Sequence, residues 1–251
     1  MKGIILAGGT GSRLGPLSKV TNKHLLPVGN VPMIYHPLSQ LLLNNIKEIC
    51  VVSGTNHLGA IVSLLGSGKK FGCSFTYKIQ DGAGGIAEAL GLCENFTNGD
   101  DILVFLGDNI FGELIIAPDL IDRCASAIFY LKKVKDPNRF GVAEVDHMKK
   151  LIDIEEKPDN PKSNLAMTGV YAYNYLIWEA IKSIKRSARG ELEISDANRW
   201  IIKNGLVSTI ELNSWWTDAG TQESLKKANE KVFEKLDKNI INKLNEMAEN
   251  T

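Results

Sequence analysis

Short apolar segments alternate with segments of helical spacing along the first 108 residues of the chain. Four apolar runs, each bounded by polar residues or glycine, predict strands at residues 4–7, 49–53, 75–79 and 102–107. Helices are predicted between them, at residues 33–44, 57–65 and 85–96. We expect this alternation to build a mostly parallel sheet with helices on both faces.

The second half of the chain has a different pattern, in which strands follow one another through short connections. Strands are predicted at residues 127–133, 140–145, 151–155, 167–173 and 207–212. Helices are predicted at residues 176–184 and 192–203. We interpret this half as a β-rich extension of the same sheet, so the predicted fold class is α/β.

Residues 222–251 form a tail with helical spacing. Its apolar side chains recur every three, four or seven positions, at Leu225, Val232, Leu236, Ile240, Leu244 and Met247. We expect the tail to pack on its own domain, and an oligomer contact is the alternative use of such a stripe. Because no linker, charge block or internal repeat interrupts the sequence, we predict a single domain over residues 1–251.

Charge and composition argue against several classes of protein. Among 251 residues, 29 Lys and Arg balance 29 Asp and Glu, so an extended nucleic-acid surface is not expected. We find no apolar run of about 18 residues that could span a bilayer, and no signal for secretion in the first residues. Four dispersed cysteines are typical of reduced thiols in a cytoplasmic protein and argue against a metal cage.

A glycine-rich segment, GGTGSR, follows the first predicted strand. It departs from the dinucleotide-binding spacing G-x-G-x-x-G, because Leu14 stands where a glycine is required after Gly9 and Gly11. The P-loop spacing G-x-x-x-x-G-K-[ST] has no match either. The backbone amides of such a turn can still surround an anion, and Arg13 and Lys23 follow closely with positive charge. The segment is either a tight turn or, as the two cations favour, a site for phosphate groups.

Two aspartates stand in apolar surroundings. Asp108 follows the predicted strand ILVFL, and Asp218 follows Trp215 and Trp216. A carboxylate in such a place is costly unless a cation or hydrogen bonds satisfy it. Two carboxylates together with phosphate oxygens are suitable ligands for one Mg²⁺. The alternative for each aspartate is a role in a helix cap or a turn.

Charged residues also follow a predicted strand in the second half of the chain. Glu156 and Lys157 are adjacent, and such a pair can meet a sugar hydroxyl and a phosphate, or can be an ordinary solvated charge pair. Arg189 precedes a predicted helix. Ser195 and Asp196 are residue types that are common near helix starts, so a cap is the simpler interpretation of that segment.

Residues 1 to about 228 resemble the sugar-phosphate nucleotidylyltransferases and, within them, the short glucose-1-phosphate thymidylyltransferases. The signature L-A-G-G-x-G-[ST]-R-L-x-P-[LT]…K-x-L-L-P-V is present from Leu6 to Val28. Further motifs follow in the order typical of the family: TNKHLLPVG, IQDGAGGIA, LGDNIF, RFGVA, IEEKP, TGVYAY, RGELEISD and WWTDAGT. A glycine loop alone is a weak signal, whereas this ordered series is specific.

The resemblance implies a fold and a reaction. The fold is a Rossmann-like, three-layer α/β/α nucleotidyltransferase fold with a mixed, mostly parallel central sheet. In the implied reaction, dTTP and α-D-glucose 1-phosphate give dTDP-glucose and pyrophosphate, with Mg²⁺ as cofactor and dTDP-deoxysugars of the rhamnose type as the later products. The implied organisation is a nucleotide-binding half at 1–110, a sugar-phosphate half at 111–221 and a helical tail at 222–251. A homo-oligomer is expected by analogy.

The resemblance also assigns site residues. The nucleotide would be bound by Leu6, Ala7, Gly8, Gly9, Thr10, Gly11, Ser12, Arg13, Lys23, Gln80, Gly85 and Asp108. The sugar phosphate would be bound by Asn109, Gly141, Glu156, Lys157, Met167, Tyr171 and Arg189. Asp108 and Asp218 would bind Mg²⁺, and the catalytic residues would be Arg13, Lys23, Lys157 and Asp108.

Other functions remain open from the sequence. A transferase for UTP or for another hexose 1-phosphate differs only in pocket contacts, although the motif KHLLPV favours thymidylyl transfer. A non-catalytic sugar-nucleotide sensor would be expected to lack Lys157, Arg13 or a metal-binding carboxylate, and all of these residues are present. A nicotinamide-dependent dehydrogenase is disfavoured because the third glycine of its nucleotide-binding motif is missing.

Overall fold

The structure is a computed structural model that describes residues 1–9, 11–120 and 124–249. Its strands are β1 (Lys2–Ala7), β2 (Pro27–Val28), β3 (Val31–Pro32), β4 (Glu48–Gly54), β5 (Ser74–Gln80), β6 (Ile102–Leu106), β7 (Asn109–Phe111), β8 (Ala127–Lys133), β9 (Gly141–Val145), β10 (Leu151–Glu156), β11 (Leu165–Tyr173), β12 (Val207–Glu211) and β13 (Trp216–Asp218). Its helices are α1 (Leu17–Val20), α2 (Tyr35–Leu43), α3 (Leu58–Leu65), α4 (Ile86–Gly91), α5 (Glu94–Thr97), α6 (Leu176–Ser183), α7 (Ile194–Asn204), α8 (Gln222–Lys235) and α9 (Lys238–Glu249).

The chain forms two compact units, each built from more than one segment. The first unit contains residues 1–83, 104–116 and 214–251, and the second contains residues 84–103 and 117–213. The sequence predicts one domain with halves at 1–110 and 111–221. This division into two units does not test that domain assignment, which stays a prediction.

The first unit is built on strands in the order β6-β1-β4-β5. β1 pairs in parallel with β4, and β4 pairs in parallel with β5. The side chains from Ile4 to Ala7 are buried on both faces of the sheet, as expected for a parallel strand covered by helices on both sides. Helix α2 packs against the C-terminal helix α9. The carboxyl ends of β1 and β6 lead directly into the glycine-rich loop and Asp108.

The second unit is a mixed sheet. β10, β9, β11 and β8 are joined by antiparallel pairing, and β12 pairs in parallel with the outer side of β8. Helix α7 packs against β10 and helix α6 packs against α7. β11 is buried along most of its length because it lies between two neighbouring strands.

The structure corrects two predicted helices. The segment 85–96 contains two short helices, α4 and α5, because Gly91 is a weak helix former and lies against Ile181. The tail is also interrupted: α8 ends at Lys235 and α9 begins at Lys238. Asp237 stabilises the start of α9, since its carboxylate accepts a hydrogen bond from the amide of Asn239.

Two short strand pairs are absent from the predicted pattern. They are β2 with β3 and β7 with β13, and each of these strands has only two or three residues. Segments of that length show no periodicity from which a strand could be predicted. The pair β7–β13 matters for the site, because it places Asp218 directly opposite Asn109.

None of the helices in the described part of the chain combines the length and apolar character needed to cross a bilayer.

Candidate functional site

The glycine-rich loop leaves β1 beside two polar side chains. A Cβ at Gly8 would lie 2.8 Å from Oε1 of Gln80, and a Cβ at Gly9 would lie 3.0 Å from Nζ of Lys23. Gly11 adopts a φ of 68°, in the left-handed region that glycine occupies without strain. The absence of side chains at Gly8 and Gly9 therefore lets a buried amide and an ammonium approach the loop backbone.

The remaining residues predicted for the nucleotide lie on either side of this loop. Leu6 and Ala7 are buried at the end of β1, and Ser12 and Arg13 are exposed in a short 3-10 turn. Thr10 is also predicted to bind the nucleotide and lies outside the described residues. Because the side chain of Arg13 is exposed, it can meet a ligand at the loop.

Lys23 forms an ion pair with Oδ2 of Asp108, which stands after β6. The two side chains are only 11% and 13% exposed. Burial by itself would raise the pKa of Asp108. The Lys23 ammonium and hydrogen bonds from Lys23 and Asn109 outweigh that effect and hold the pKa of Asp108 well below its usual range. Asp108 is therefore a carboxylate at neutral pH.

Asp108 is also oriented by a short chain of hydrogen bonds. The indole of Trp216 donates to Oδ1 of Asn109 at 2.7 Å, and the amide of Asn109 donates to Oδ1 of Asp108 at 2.9 Å. Asn109 was predicted for the sugar side, and these contacts give it a place beside the aspartate. The sequence analysis treats Trp216 only as an apolar residue near Asp218. No local sequence pattern predicts its hydrogen bond to Asn109.

The second predicted metal ligand, Asp218, lies close to the first. A Cβ on Gly220 would lie 3.3 Å from Nη2 of Arg13, 3.5 Å from Oδ2 of Asp108 and 3.7 Å from Oδ2 of Asp218. The backbone amide of Ala219 donates to the carbonyl of Asp108 at 2.7 Å, which ties the two segments together. Two carboxylates and a guanidinium therefore surround the position of Gly220.

His24, which follows Lys23, is buried and was not singled out in the sequence. Its Nδ1 lies 2.7 Å from Oδ1 of Asn22, and a Cβ at Gly107 would lie 2.7 Å from its ring. Burial, helped by the neighbouring Lys23 charge, lowers the pKa of His24 to about 3. This imidazole is therefore neutral, and it supports the turn that carries Lys23.

The second unit brings together charged residues at the end of β10. Gly141 is the register partner of Glu156 in the β9–β10 ladder. Oε1 of Glu156 lies 3.4 Å from Nζ of Lys157 and 3.7 Å from Nη2 of Arg189. Oε2 accepts a hydrogen bond from the hydroxyl of Ser195. The structure therefore places Gly141, Glu156, Lys157 and Arg189 in one cluster.

Arg189 is held by a carboxylate that was not predicted. Glu193 is buried, and its Oε1 accepts from Nε of Arg189 at 3.1 Å and from Oγ of Ser187 at 2.7 Å. Its distance to Nη2 of Arg189 is 2.8 Å. These contacts leave part of the guanidinium fork available for a ligand, in a fixed orientation.

Met167 and Tyr171 are buried on β11, on either side of an irregularity in its pairing with β8. Tyr171 stacks on Tyr173, with ring centroids 5.8 Å apart. A Cβ at Gly141 would lie 3.4 Å from Cγ of Met167, so Met167 adjoins the charged cluster. Tyr171 has a clear packing role in the sheet.

Gly85 was predicted to contact the nucleotide. In the structure it occupies a backbone position that only glycine can adopt without strain. Its φ is 98°, and a Cβ there would lie 2.4 Å from the carbonyl oxygen of Leu192. The amide of Leu192 donates to the carbonyl of Gly84 at 2.8 Å. Gly84 and Gly85 therefore fasten the segment that carries Arg189 and Glu193.

The aspartate pair of the first unit fits a divalent cation of the magnesium type. The part of the chain that the structure describes contains no cluster of three or more His, Cys, Asp or Glu side chains suited to a metal. Mg²⁺ characteristically takes one or two protein carboxylates and completes its octahedron with phosphate oxygens and water. Oδ2 of Asp108 and Oδ2 of Asp218, both near Gly220, supply hard oxygen ligands of that kind.

Comparison with known proteins defines the class to which this fold and site belong. The family model for nucleotidyl transferase matches residues 2–235. The chain belongs to the nucleotidyl transferase family, and the resemblance drawn from the sequence motifs is confirmed. The predicted α/β nucleotidyltransferase fold is confirmed as well.

Particular relatives narrow the class. The chain is 43% identical over 233 residues to a glucose-1-phosphate thymidylyltransferase from Neisseria meningitidis, covering 91% of this chain and 81% of that protein. A crystal structure of a Bacillus anthracis protein assigned as a glucose-1-phosphate thymidylyltransferase, in complex with sucrose, has 51% sequence identity and a TM-score of 0.86. It covers 96% of this chain and 99% of that one.

A more distant structure shows the same fold. UDP-glucose pyrophosphorylase in complex with UDP-glucose has a TM-score of 0.81 at 22% sequence identity, covering 93% of this chain and 98% of that one. At that identity the likeness concerns the fold alone.

Proposed function

We propose that this protein transfers a thymidylyl group from dTTP to α-D-glucose 1-phosphate, forming dTDP-glucose and releasing pyrophosphate. The observation that carries the proposal is the gathering of Arg13, Asp108 and Asp218 around Gly220, next to a glycine-rich loop that lies against Lys23. The similarity to glucose-1-phosphate thymidylyltransferases supports this choice of substrates.

The first unit is proposed to bind the nucleotide. The loop amides near Gly8, Gly9 and Gly11 face the triphosphate, and Arg13 and Lys23 neutralise its charge. Gln80, buried beside Gly8, is proposed to meet the edge of the base. Thr10 and Ser12 complete the proposed loop contacts.

Asp108 and Asp218 are proposed to hold Mg²⁺ together with phosphate oxygens. When bound, the ion stabilises charge on the α-phosphate and on the departing pyrophosphate. Asn109 and Trp216 keep Asp108 oriented for this role through their hydrogen bonds.

The second unit is proposed to bind the sugar phosphate. Lys157 and Arg189 meet the phosphate, and Glu156 accepts a hydrogen bond from a sugar hydroxyl. Gly141, Met167 and Tyr171 are proposed to line the sugar side, as the family resemblance implies. Glu193 keeps the guanidinium of Arg189 in one orientation through its contacts at 2.8 and 3.1 Å.

The proposed reaction depends on positioning and charge neutralisation. A phosphate oxygen of glucose 1-phosphate attacks the α-phosphorus in line, and the bond to the pyrophosphate oxygen breaks on the opposite side. The attacking oxygen is already anionic, so no general base is needed. Lys157 orients the nucleophile, and Arg13 stabilises charge that develops on the transferred group.

We further propose that the protein works in the cytoplasm as a homo-oligomer, with these small molecules rather than nucleic acid or membrane as its partners. Its product would supply dTDP-deoxysugar synthesis of the rhamnose type.

The proposed function is tested by release of pyrophosphate. The protein is incubated with Mg²⁺, glucose 1-phosphate and each nucleoside triphosphate in turn. We expect release with dTTP that depends on the sugar phosphate and is abolished by a chelator. Release with none of the triphosphates would contradict the enzyme proposal, and a strong preference for UTP would replace dTTP as the substrate.

A further inference from the structure

The hydroxyl of Ser195 makes a contact that its place in the sequence does not suggest. Ser195 stands in the first turn of α7, where serine commonly caps the helix. Here the N-cap residue is Glu193, and no side chain caps the helix end. The Ser195 hydroxyl is buried and instead donates to Oε2 of Glu156 on β10.

Helix α7 is fixed over β10 at a second point, one turn further along. Arg199 lies four residues after Ser195, on the same face of the helix. Its Nε donates to Oδ1 of Asp153 at 2.8 Å, and its Nη2 donates to the carbonyl of Ile154. Ser195 is therefore held at a set position above the strand and is not a freely moving hydroxyl.

The bond to Ser195 decides which oxygen of Glu156 is available. Oε2 is engaged by the hydroxyl, while Oε1 is 3.4 Å from Nζ of Lys157 and 3.7 Å from Nη2 of Arg189. The carboxylate thus turns one oxygen to the two cations proposed to hold the phosphate. The Ser195 hydroxyl is therefore the group that holds Oε2 of Glu156 in this position.

Gly141 makes room for this arrangement. A Cβ at Gly141 would lie 3.1 Å from Oγ of Ser195 and 3.4 Å from Oε2 of Glu156. These two atoms, Oγ of Ser195 and Oε2 of Glu156, are the donor and the acceptor of the hydrogen bond. Glycine opposite Glu156 in the ladder therefore permits the close approach of helix α7 to the end of β10.

We propose that Ser195 is a positioning residue, which orients Glu156 so that Oε1 accepts a hydroxyl of the sugar phosphate. This proposal rests on the proposed function, because it assigns Glu156 to the sugar. Ser195 acts through Glu156 and does not touch the reacting atoms. Loss of the Ser195 hydroxyl weakens binding of the sugar phosphate and leaves binding of the nucleotide unaffected.

The test compares the two substrates in Ser195→Ala. We expect the KM for glucose 1-phosphate to rise about tenfold, the scale of one hydrogen bond to a charged group, while the KM for dTTP changes less than about twofold. Ser195→Thr keeps a hydroxyl and should restore the KM for glucose 1-phosphate to within about threefold of the wild type. A binding measurement gives a second readout: Ser195→Ala should weaken dTDP-glucose about tenfold and dTDP hardly at all.

Two further variants separate positioning from a general structural effect. Ser163→Ala is the matched control, since its hydroxyl donates to the carbonyl of Ala143 in the same unit at 2.6 Å and does not touch Glu156. It should leave both KM values unchanged. In a Glu156→Gln background, Ser195→Ala should add less than a twofold effect, because the residue through which it acts is already altered.

The outcomes are distinguishable. A wild-type protein that releases no pyrophosphate with any triphosphate overturns the proposed function, and the role of Ser195 with it. If the wild-type protein is active and Ser195→Ala has an unchanged KM for glucose 1-phosphate, only the role of Ser195 is overturned. A tenfold effect that persists in the Glu156→Gln background also overturns it, because Ser195 would then act by another route.

Discussion

The ammonium of Lys23 is paired with Oδ2 of Asp108, one of the two carboxylate oxygens that surround Gly220. With Arg13 and Asp218, the site contains two cations and two anions, so their formal charges cancel. The net electrostatic attraction of this site for a divalent cation is therefore small until phosphate groups add negative charge. Lys23 serves in the free protein as the counter-ion that keeps Asp108 ionised.

Lys23→Met tests this relationship. Removal of the ammonium leaves Asp108 without its main counter-ion in a mostly buried place, and we expect the free energy of unfolding to fall by about 3 kcal/mol. Added Mg²⁺ without nucleotide should then raise the Tm of Lys23→Met more than that of the wild type. Thermal unfolding with and without Mg²⁺ measures both effects. Lys133→Met, which breaks the exposed pair with Glu211, is the control; an equal response of Lys23→Met and wild type to Mg²⁺ would contradict the interpretation.

Lys157 combines a strained backbone with a proposed catalytic side chain. Its φ is 44°, in the left-handed region that is unfavourable for a residue with a Cβ. Lys157→Gly should leave the free energy of unfolding unchanged or raise it by up to about 1 kcal/mol. The same variant should lower turnover at least ~100-fold, because an electrostatic contact to the phosphate is lost.

Lys149→Gly is the matched control for that experiment. Lys149 is exposed, has a φ of 62° and lies in the turn between β9 and β10. It should show the same small change in stability with full activity. Near-normal turnover in Lys157→Gly would show that Lys157 has been assigned the wrong role.

Gly85→Ala should strongly destabilise the protein. A methyl group there would meet the carbonyl oxygen of Leu192 at 2.4 Å, and the φ of 98° is unfavourable for alanine. We expect a loss of more than about 3 kcal/mol in the free energy of unfolding. Gly82→Ala separates the two causes, since Gly82 has a φ of 82° and no neighbour within 4 Å. It should lose only about 1–2 kcal/mol; equal losses in denaturant unfolding would show that the clash at Leu192 is relieved elsewhere.

His36 should make the protein less stable in acid. It is buried, its Nε2 lies 3.0 Å from the carbonyl of Val28, and burial lowers its pKa from 6.5 to about 4. Above about pH 6.5 the imidazole is neutral in both states. Between about pH 6.5 and 4, His36 is protonated in the unfolded chain and remains neutral in the folded chain. The free energy of unfolding therefore decreases as pH falls, by up to about 1.4 kcal/mol per pH unit.

His36→Gln keeps a donor for the Val28 carbonyl and removes the titrating group. The difference in unfolding free energy between wild type and variant, measured at pH 7, 6 and 5, should shift in favour of the variant as pH falls. His147→Gln, at an exposed position, is the control. A difference that stays constant with pH would exclude His36 as a source of acid sensitivity.

Local patterns in the sequence were sufficient to predict the strands of the sheet. The apolar runs that end at Ala7 and before Gly107 correspond to β1 and β6, because a strand buried on both faces leaves a continuous apolar signal. The glycine loop and Asp108 could be placed at strand ends for the same reason. Short strands such as β7 and β13 could not be predicted, since three residues carry no periodic signal.

The contacts that organise the candidate site lie between residues far apart in the chain. Lys23 and Asp108 are 85 residues apart, Asn109 and Trp216 are 107 apart, and Glu156 and Ser195 are 39 apart. Sequence reasoning could name charged residues at strand ends, but it could not say which charge meets which. It therefore assigned Ser195 to a helix cap and passed over Glu193 and Trp216.

By itself, the sequence determined the order of strands and helices, the bare glycine loop and the set of residue types available for phosphate, metal and sugar. Those features depend on backbone preferences and on apolar periodicity, which act over a few neighbouring residues. Only the tertiary structure decided that Lys23 neutralises Asp108 and that Ser195 orients Glu156. Such pairings depend on which elements pack together, because a buried charge or hydroxyl takes the partner that folding brings within hydrogen-bonding distance.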